Sequence, residues 1–354
     1  MTEKFRQYTI SQDKEVIDAL RLLNDLSGRC DTLFALDSER RLMGTITDGD
    51  LRRSLISGGD LHTPLHRVMH RNFSAIRPGA VDVEQIRAMR GLGITLVPHL
   101  NEDGTIRTIY DFSKCQSLLP IDAVLMAGGR GERLRPLTLT TPKPLLKVGD
   151  KCIIDYNVEA LIRNGISHIS VTTNYLHEQL EEHFAGTFED TDVQVQCVHE
   201  PCRMGTIGSL QLIPEFFNEH ILLMNSDLLT SINYEEMYLN HIASGAALTV
   251  ATIPYVLSVP YAIMRLEGND VKGFEEKPTF NYFANAGIYL FRRDLVNLIP
   301  KGEYFDATDF MESLLARGER INQFPINGTW IDIGSPDDYR QAQELMKQHK
   351  LLNF

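Results

Sequence analysis

Residues 121–146 read IDAVLMAGGRGERLRPLTLTTPKPLL. The apolar run at 121–126 has the character of a buried strand. It opens into Gly128, Gly129 and Gly131, which tolerate φ > 0 and let a ligand approach the backbone closely. Arg130, Arg133 and Arg135 follow, and Lys143 stands between Pro142 and Pro144. A strand that opens into a glycine loop, with cations fixed behind it, predicts a grip on phosphates. Beyond it, helical patterns at 153–164, 176–184, 235–244 and 309–317 alternate with apolar strands at 169–173, 193–198, 221–224, 247–253, 286–291 and 321–325. That alternation predicts an α/β architecture of three layers around a mainly parallel sheet. A last helix is expected over 336–350, started by Pro336 after Ser335.

The chain has 354 residues, 43% hydrophobic and 23% charged, which predicts about two soluble domains. No apolar run reaches the ~18 residues of a membrane span. The N-terminus MTEKFRQYTISQDKE lacks an apolar signal core, so a cytoplasmic protein is expected. Cys30, Cys115, Cys152, Cys197 and Cys202 contain no C-x-x-C pair and are read as reduced thiols. Residues 1–119 carry 16 Lys+Arg and 16 Asp+Glu, so the net charge of −12 resides wholly in residues 120–354. That argues against a nucleic-acid surface, which needs basic excess. A phosphorylated substrate stays compatible, because local cations outweigh a diffuse field screened beyond ~10 Å.

The first third repeats itself. A helix at 13–26, strands at 32–36 and 42–47 and a helix from 48 are followed by a helix at 82–91, strands at 95–98 and 105–110, and a start at 111–115. The pattern predicts two β-α-β-β-α units sharing a buried face. Within the first copy, GTITDGDLRR (44–53) resembles the signature of a CBS domain, and the pair resembles a Bateman module. The resemblance implies that Thr47 and Asp50 hold the phosphate and ribose of a regulatory purine nucleotide. The second copy departs from it, with Tyr110 and Ser113 at the equivalent positions. A purely dimeric or docking role is the alternative. The boundary is expected between residues 1–118 and 119–354.

The glycine loop fits neither of its commonest rivals. No Lys-Ser/Thr follows, as a triphosphatase phosphate loop requires. Leu134 occupies the place of the third glycine of a dinucleotide fingerprint. Instead G-G-x-G-x-R-L-x-P-L-T followed by P-K-P resembles the sugar-1-phosphate nucleotidylyltransferases, over a domain reaching to about Tyr339. That resemblance implies a Rossmann-like fold and Mg²⁺ as cofactor. Leu125, Ala127, Gly128, Gly129 and Gly131 would hold the nucleotide. Arg133 would neutralise the leaving pyrophosphate, and Lys143 would bridge the α-phosphate and the sugar phosphate. Asp227, after the apolar run ILLMNSDLL, and Asp332, in WIDIG, match the two metal-binding carboxylates. Two carboxylates with phosphate oxygens suit a hard cation.

VHEPCRMGTIGSL (198–210) resembles the segment facing the nucleobase. Glu200 would accept hydrogen bonds from guanine, with Gly205 and Thr206 beside it; Thr206 equally fits a helix cap. On the sugar side, GFEEKP supplies Glu276 and Lys277, NAGIYLF supplies Asn285 and Gly287, and Asp309 is a looser match. His177, His183 and His199 are read as surface or capping residues. A CBS pair joined to such a domain resembles a bacterial guanylyltransferase group that makes GDP-activated amino sugars for surface glycans. GTP and a sugar 1-phosphate such as glucosamine 1-phosphate are therefore the expected partners, in a homo-oligomer. Thymidylyl, uridylyl or cytidylyl transfer stays open, as does a nucleotide-sensing protein with an inactive transferase domain.

Overall fold

The computed structural model describes residues 3–26, 31–186, 188 and 193–348. Cys30 and the last two residues of the expected C-terminal helix lie outside them. The chain divides into two compact units, Met1–Ser117 and Leu118–Phe354.

The first unit runs β1 (Thr9–Ser11), α1 (Val16–Asp25), β2 (Thr32–Leu36), β3 (Leu42–Thr47), α2 (Asp48–Ile56), α3 (Val83–Gly91), β4 (Leu96–Leu100) and β5 (Ile106–Asp111). β1 lies parallel to β2, and β2 antiparallel to β3. In the second half β4 and β5 pair antiparallel, and a single parallel bridge from Ile76 to His99 stands where β1 does. Phe34, Leu36 and Leu42 from the first half pack on Ala75, Leu96, Leu100 and Ile106 from the second. One expectation fails: 111–115 is a turn, not a helix start. The Asp111 carboxylate accepts the Ser113 N–H at 3.0 Å and the Ser113 hydroxyl. A short polar side chain bonding its own backbone in this way competes with helix.

The second unit continues with β6 (Ile121–Ala127), β7 (Lys147–Val148), β8 (Lys151–Cys152), α4 (Ile153–Arg163), β9 (His168–Thr173), α5 (His177–Gly186), β10 (Gln194–His199), β11 (His220–Asn225) and β12 (Leu228–Thr230). It then runs α6 (Tyr234–Ser244), β13 (Leu248–Ser258), β14 (Ile263–Glu267), β15 (Asp270–Glu275), β16 (Thr279–Arg292), α7 (Ala307–Ala316), β17 (Ile321–Pro325), β18 (Trp330–Asp332) and α8 (Pro336–Gln348). Seven strands form one sheet in the order β10-β9-β6-β11-β16-β13-β17. All neighbours are parallel except β16, which is antiparallel to both β11 and β13. From β6 the chain steps out to β9 and β10, then returns to β11 on the other side of β6. The strand order therefore reverses between β6 and β11, where ligands meet open α/β sheets.

β6 is buried almost throughout, as expected of a parallel strand covered on both faces. Val124, Leu223, Phe291 and Phe310 lead one core beneath α7. A second core joins Leu134, Val148, Ile153, Leu229, Ile331, Ile333 and Ala342. The strands expected at 247–253 and 286–291 are longer than their apolar runs. β13 and β16 continue as an exposed two-stranded ribbon, and β14 and β15 form a hairpin that the sequence pattern did not predict. Among the described residues no helix is long and apolar enough to cross a membrane.

Candidate active site

The second core fixes the glycine loop. Leu134 is buried between Arg133 and Arg135, which anchors the loop while its cations stay outside. Thr138 Oγ1 donates to the Gly131 carbonyl at 2.7 Å and closes the turn. Ile331 and Ile333 are buried in the same core, so strand alternation turns Asp332 away from it. β18 pairs antiparallel with β12, with Leu228 opposite Asp332, and the Ile333 N–H donates to the Asp227 carbonyl at 3.2 Å. The two carboxylates, 105 positions apart, thereby meet.

Lys143 stands between them. Its ammonium bonds Asp227 Oδ2 and lies 3.8 Å from Asp332 Oδ1. Asp227 Oδ1 is buried and has no hydrogen-bond partner among the described residues. Burial, and then the charge of Asp227, push the Asp332 carboxyl above the usual carboxylate range, against the pull of Lys143 and Arg133. The Arg133 guanidinium lies against Gly334. One ammonium is shared by two crowded carboxylates, and one oxygen of the pair is left unsatisfied. This set fits a hard divalent cation that supplies the missing positive charge.

A cleft runs from this cluster over the glycine loop. Ala127, Gly128, Gly129, Lys143 and Asp227 line it with Glu200, Gly205 and Thr206, and its continuation reaches Arg130, Gly131, Arg133 and Gly334. Arg130 therefore belongs to the cleft wall, whereas Arg135 pairs with Glu132 at 3.7 Å on the surface. Leu125 is fully buried in β6 and does not line the cleft; its neighbour Met126 does. Glu200 is buried, its carboxylate lies against Gly128, and burial pushes its carboxyl up. Gly205 has φ of +79°, and a Cβ there would meet the Phe305 carbonyl oxygen at 2.5 Å.

The sequence reading missed part of this wall. Arg203, Asn225, Ser226, Tyr304 and Asp306 also line the cleft. Asp306 Oδ1 accepts from Thr206 N–H at 3.0 Å, and Asp306 Oδ2 accepts from the Tyr304 hydroxyl at 2.8 Å. The Thr206 hydroxyl in turn accepts the Ala307 N–H at 2.6 Å, at the start of α7. Asp309 stays one helical turn away and closes a capping box with Asp306. Arg203 and Asn225–Ser226 sit beside residues the sequence singled out and were within its reach. Tyr304 and Asp306 arrive from 100 residues away with no local signal.

The sugar-side residues fall into two places. Asn285 donates to the Tyr289 hydroxyl at 2.8 Å and accepts the Gly287 N–H at 2.9 Å, and Gly287 faces the cleft residue Asn225. Glu276 and Lys277 are exposed in the turn from β15 to β16, outside this cleft lining. In the first unit, Thr47 and Asp50 bond each other: Asp50 Oδ2 accepts the Thr47 N–H at 2.9 Å and its hydroxyl at 2.7 Å, capping α2.

Among the described residues one group of metal-ligand types arises away from the cleft, where sequence spacing gave none: the ligand atoms of Cys152, Asp155 and His183 lie within 4.8 Å of one another. Asp155 already accepts from Cys152 N–H at 3.2 Å and pairs with His183 at 2.6 Å. The positive dipole end of α4 also opposes a cation there. The group is a helix cap. Cys115, Cys152, Cys197 and Cys202 carry no disulfide.

Comparison with known proteins gives one family model, described as nucleotidyl transferase, matching residues 122–349. The mannose-1-phosphate guanylyltransferase catalytic subunit beta of Danio rerio is 29% identical over 224 residues, 61% of this chain and 62% of that protein. A UTP–glucose-1-phosphate uridylyltransferase of Synechocystis sp. is 29% identical over 241 residues, 62% of each. The chain thus spans about three fifths of the curated relatives it matches. Among solved structures, a putative glucose-1-phosphate thymidylyltransferase from Bacillus anthracis, in complex with a sucrose, superposes with a TM-score of 0.52. It has 22% identity, and the match covers 66% of this chain and 97% of that one. HddC from Yersinia pseudotuberculosis, complexed with GMP-PN, gives 0.50 and 20%, covering 64% and 99%. At these identities the solved structures speak for the fold.

Proposed function

The chain belongs to the nucleotidyl transferase family, and on that premise we propose that it joins a nucleoside triphosphate to a sugar 1-phosphate, releasing pyrophosphate. One observation carries the reading: Arg133, Lys143, Asp227 and Asp332 converge on the glycine loop at the point where the strand order reverses. Fixed cations along the cleft, with two carboxylates gathered around Lys143, suit a highly anionic leaving group.

In the proposed reaction an oxygen of the sugar phosphate attacks the α-phosphorus. The new O–P bond forms as the bond to the β-phosphate oxygen breaks, and pyrophosphate leaves with the electron pair. Little covalent chemistry is asked of the protein; positioning and charge dominate. The Gly128–Gly131 backbone holds triphosphate oxygens, Arg133 neutralises the departing pyrophosphate, and Lys143 orients the two phosphates toward each other. Asp227 and Asp332 would hold Mg²⁺, which neutralises phosphate charge when bound.

GTP is the proposed donor. Glu200 supports it, as a buried acceptor in the cleft suited to the N1–H and amine of guanine, and so does the name of the Danio rerio relative. The proposed acceptor is an amino-sugar 1-phosphate such as glucosamine 1-phosphate, activated for surface glycans. Uridylyl transfer is the second reading, favoured by the name of the Synechocystis relative. Pyrophosphate release, measured for each nucleoside triphosphate against a panel of sugar 1-phosphates, tests both. Release with GTP alone is expected; release with UTP alone favours the second reading. No release with any pair favours an inactive, nucleotide-sensing domain.

For residues 1–118 the proposal is a tandem CBS pair that takes a regulatory purine nucleotide at Thr47 and Asp50. The polar pair that caps α2 supports it, since a ribose or phosphate can compete for the same atoms. Calorimetry of the full chain with AMP and GMP tests it, set beside a Thr47→Ala, Asp50→Asn variant. Equal heats from both proteins would leave the unit a scaffold.

A further inference from the structure

With Glu200 proposed as the acceptor for guanine, and resting on that reading, we infer that Thr172 and Ser209 are its positioning residues. Their hydroxyls hold the carboxylate on its buried side and leave its open side to the base. Thr172, near the end of β9, stands in register with Met126 of β6 and Val198 of β10. Neighbours in register share a face of the sheet, and Met126 lines the cleft, so Thr172 lies on the cleft side. Glu200 follows the last residue of β10, and its N–H donates to the Thr173 carbonyl at 2.8 Å. Ser209 belongs to the short 3-10 turn Gly208–Leu212, which comes directly after the cleft residues Gly205 and Thr206.

Thr172, Ser209 and Glu200 are all buried. The two hydroxyl oxygens have no hydrogen-bond partner among the described residues, whereas buried hydroxyls as a rule find one. Glu200 is the acceptor beside them. Burial raises its carboxyl, and the Met204 N–H and the Thr172 and Ser209 hydroxyls pull it back. Lys143, Arg203, Asp227 and Asp306 are the charged groups lining the same cleft, and none of them is among the groups that shift Glu200. A carboxylate buried without an ionic partner must be held by hydrogen bonds. Its oxygens lie 3.0 and 3.2 Å from where a Cβ on Gly128 would stand, so its open side looks onto the glycine loop.

Hydrogen bonds donated to a carboxylate favour its ionised form, which is an acceptor only. Guanine offers such a group two adjacent donors, N1–H and the exocyclic amine, one for each oxygen. Adenine sets an acceptor at N1 against it and is rejected. Without the hydroxyls, burial favours the protonated acid, which donates as well as accepts and tolerates adenine. Thr172 and Ser209 thereby set base specificity through Glu200, by excluding the wrong base as much as by holding the right one. Thr173 provides the contrast. Its hydroxyl is equally buried and unpartnered among the described residues, but strand alternation turns it to the opposite face of β9.

Pyrophosphate release by the full chain, with GTP or ATP varied against glucosamine 1-phosphate, tests this. Thr172→Val and Ser209→Ala should each raise KM for GTP about 10-fold, the loss of one hydrogen bond to a charged group. In both variants kcat and the melting temperature should hold, and the preference for GTP over ATP should narrow. Thr172→Ser, which keeps the hydroxyl, and Thr173→Val should keep the wild-type KM. Wild-type KM in both Thr172→Val and Ser209→Ala overturns the inference, as does an equal rise in Thr173→Val. So does a rise that comes with lower melting and an unchanged GTP-to-ATP preference, which marks a merely structural role. Should Thr172→Val fail to fold, Ser209→Ala decides alone. A wild type that does not prefer GTP removes the guanine reading and this inference together; a preference for GTP with KM unmoved in the variants removes the inference alone.

Discussion

Asp227 and Asp332 share one ammonium. Lys143 bonds the first and lies 3.8 Å from the second, because the β12–β18 register sets Leu228 opposite Asp332. The buried, unpartnered Oδ1 of Asp227 is the atom through which the pair asks for more positive charge than Lys143 supplies.

Asp227→Asn should therefore remove turnover and spare the fold. The amide keeps the volume but halves the negative charge of the pair, and the loss expected is at least ~10²-fold in pyrophosphate release at saturating Mg²⁺. The melting temperature should hold, since a crowded charge has been removed from a partly buried site. Near-normal turnover would sink the assignment of Asp227 to the metal.

Glu200 gives the pH dependence. Burial raises its carboxyl in the folded chain, so the folded state holds the proton more tightly than the unfolded one. Its contribution to stability is then full below the unfolded carboxyl range and is lost as pH rises through the raised folded value. Glu200→Gln should consequently melt higher than wild type at neutral pH, with the gap closing as pH falls into the carboxylate range. KM for GTP should move the other way, rising in the variant at neutral pH because the acceptor for guanine is gone. A variant that melts lower at neutral pH, or keeps its KM, contradicts one half of this account.

Two glycines separate stability from binding. At Gly205 a Cβ would strike the Phe305 carbonyl at 2.5 Å from a backbone at φ +79°, and neither backbone can yield. Gly205→Ala should cost at least ~2 kcal/mol, or roughly 4–8 °C of melting temperature for a domain of this size. At Gly128 the nearest atoms are the carboxylate oxygens of Glu200, at 3.0 and 3.2 Å, the end of a side chain that can shift. Gly128→Ala should leave melting nearly unchanged and raise KM for the triphosphate. Thermal denaturation and KM measured on both variants decide, and a reversed order would show that Glu200 is the more rigid neighbour.

The legible parts of the site were those carried by local grammar. The glycine loop follows an apolar run, Lys143 sits between prolines, and Asp227 ends a strand, so each could be read from a few neighbours. The mainly parallel sheet follows from the α/β alternation, but the reversal of strand order between β6 and β11 does not, because alternation leaves the order of the strands open. The pairing of Asp332 with Asp227 was expected only from the family resemblance, since it is a matter of register between strands of three residues, too short to show a period. Tyr304 and Asp306 come to Thr206 from another element and left no trace in their own surroundings. The exposed ribbon of β13 and β16 was hidden for a different reason. Pro254 follows the run at 247–253 and Asn285 precedes the run at 286–291, and these two breaks drew the strand limits too short.

Trp330 offers a direct view of the site. It is the only tryptophan in the chain, it lies two residues before Asp332, and its indole N–H donates to the Ala286 carbonyl at 3.0 Å. Ala286 lies between Asn285 and Gly287, so one side chain ties the carboxylate strand β18 to the strand on the proposed sugar side. Filling the cleft should press on both strands and change the Trp330 emission. Titration with GTP and Mg²⁺ should give a saturable change, and Asp332→Asn should lose the part that requires Mg²⁺. Trp330→Phe should cost ~1–3 kcal/mol, because the Ala286 carbonyl is left without its donor in a half-buried place. Emission that ignores both ligands would separate β18 from the site and leave Asp227 to act without Asp332.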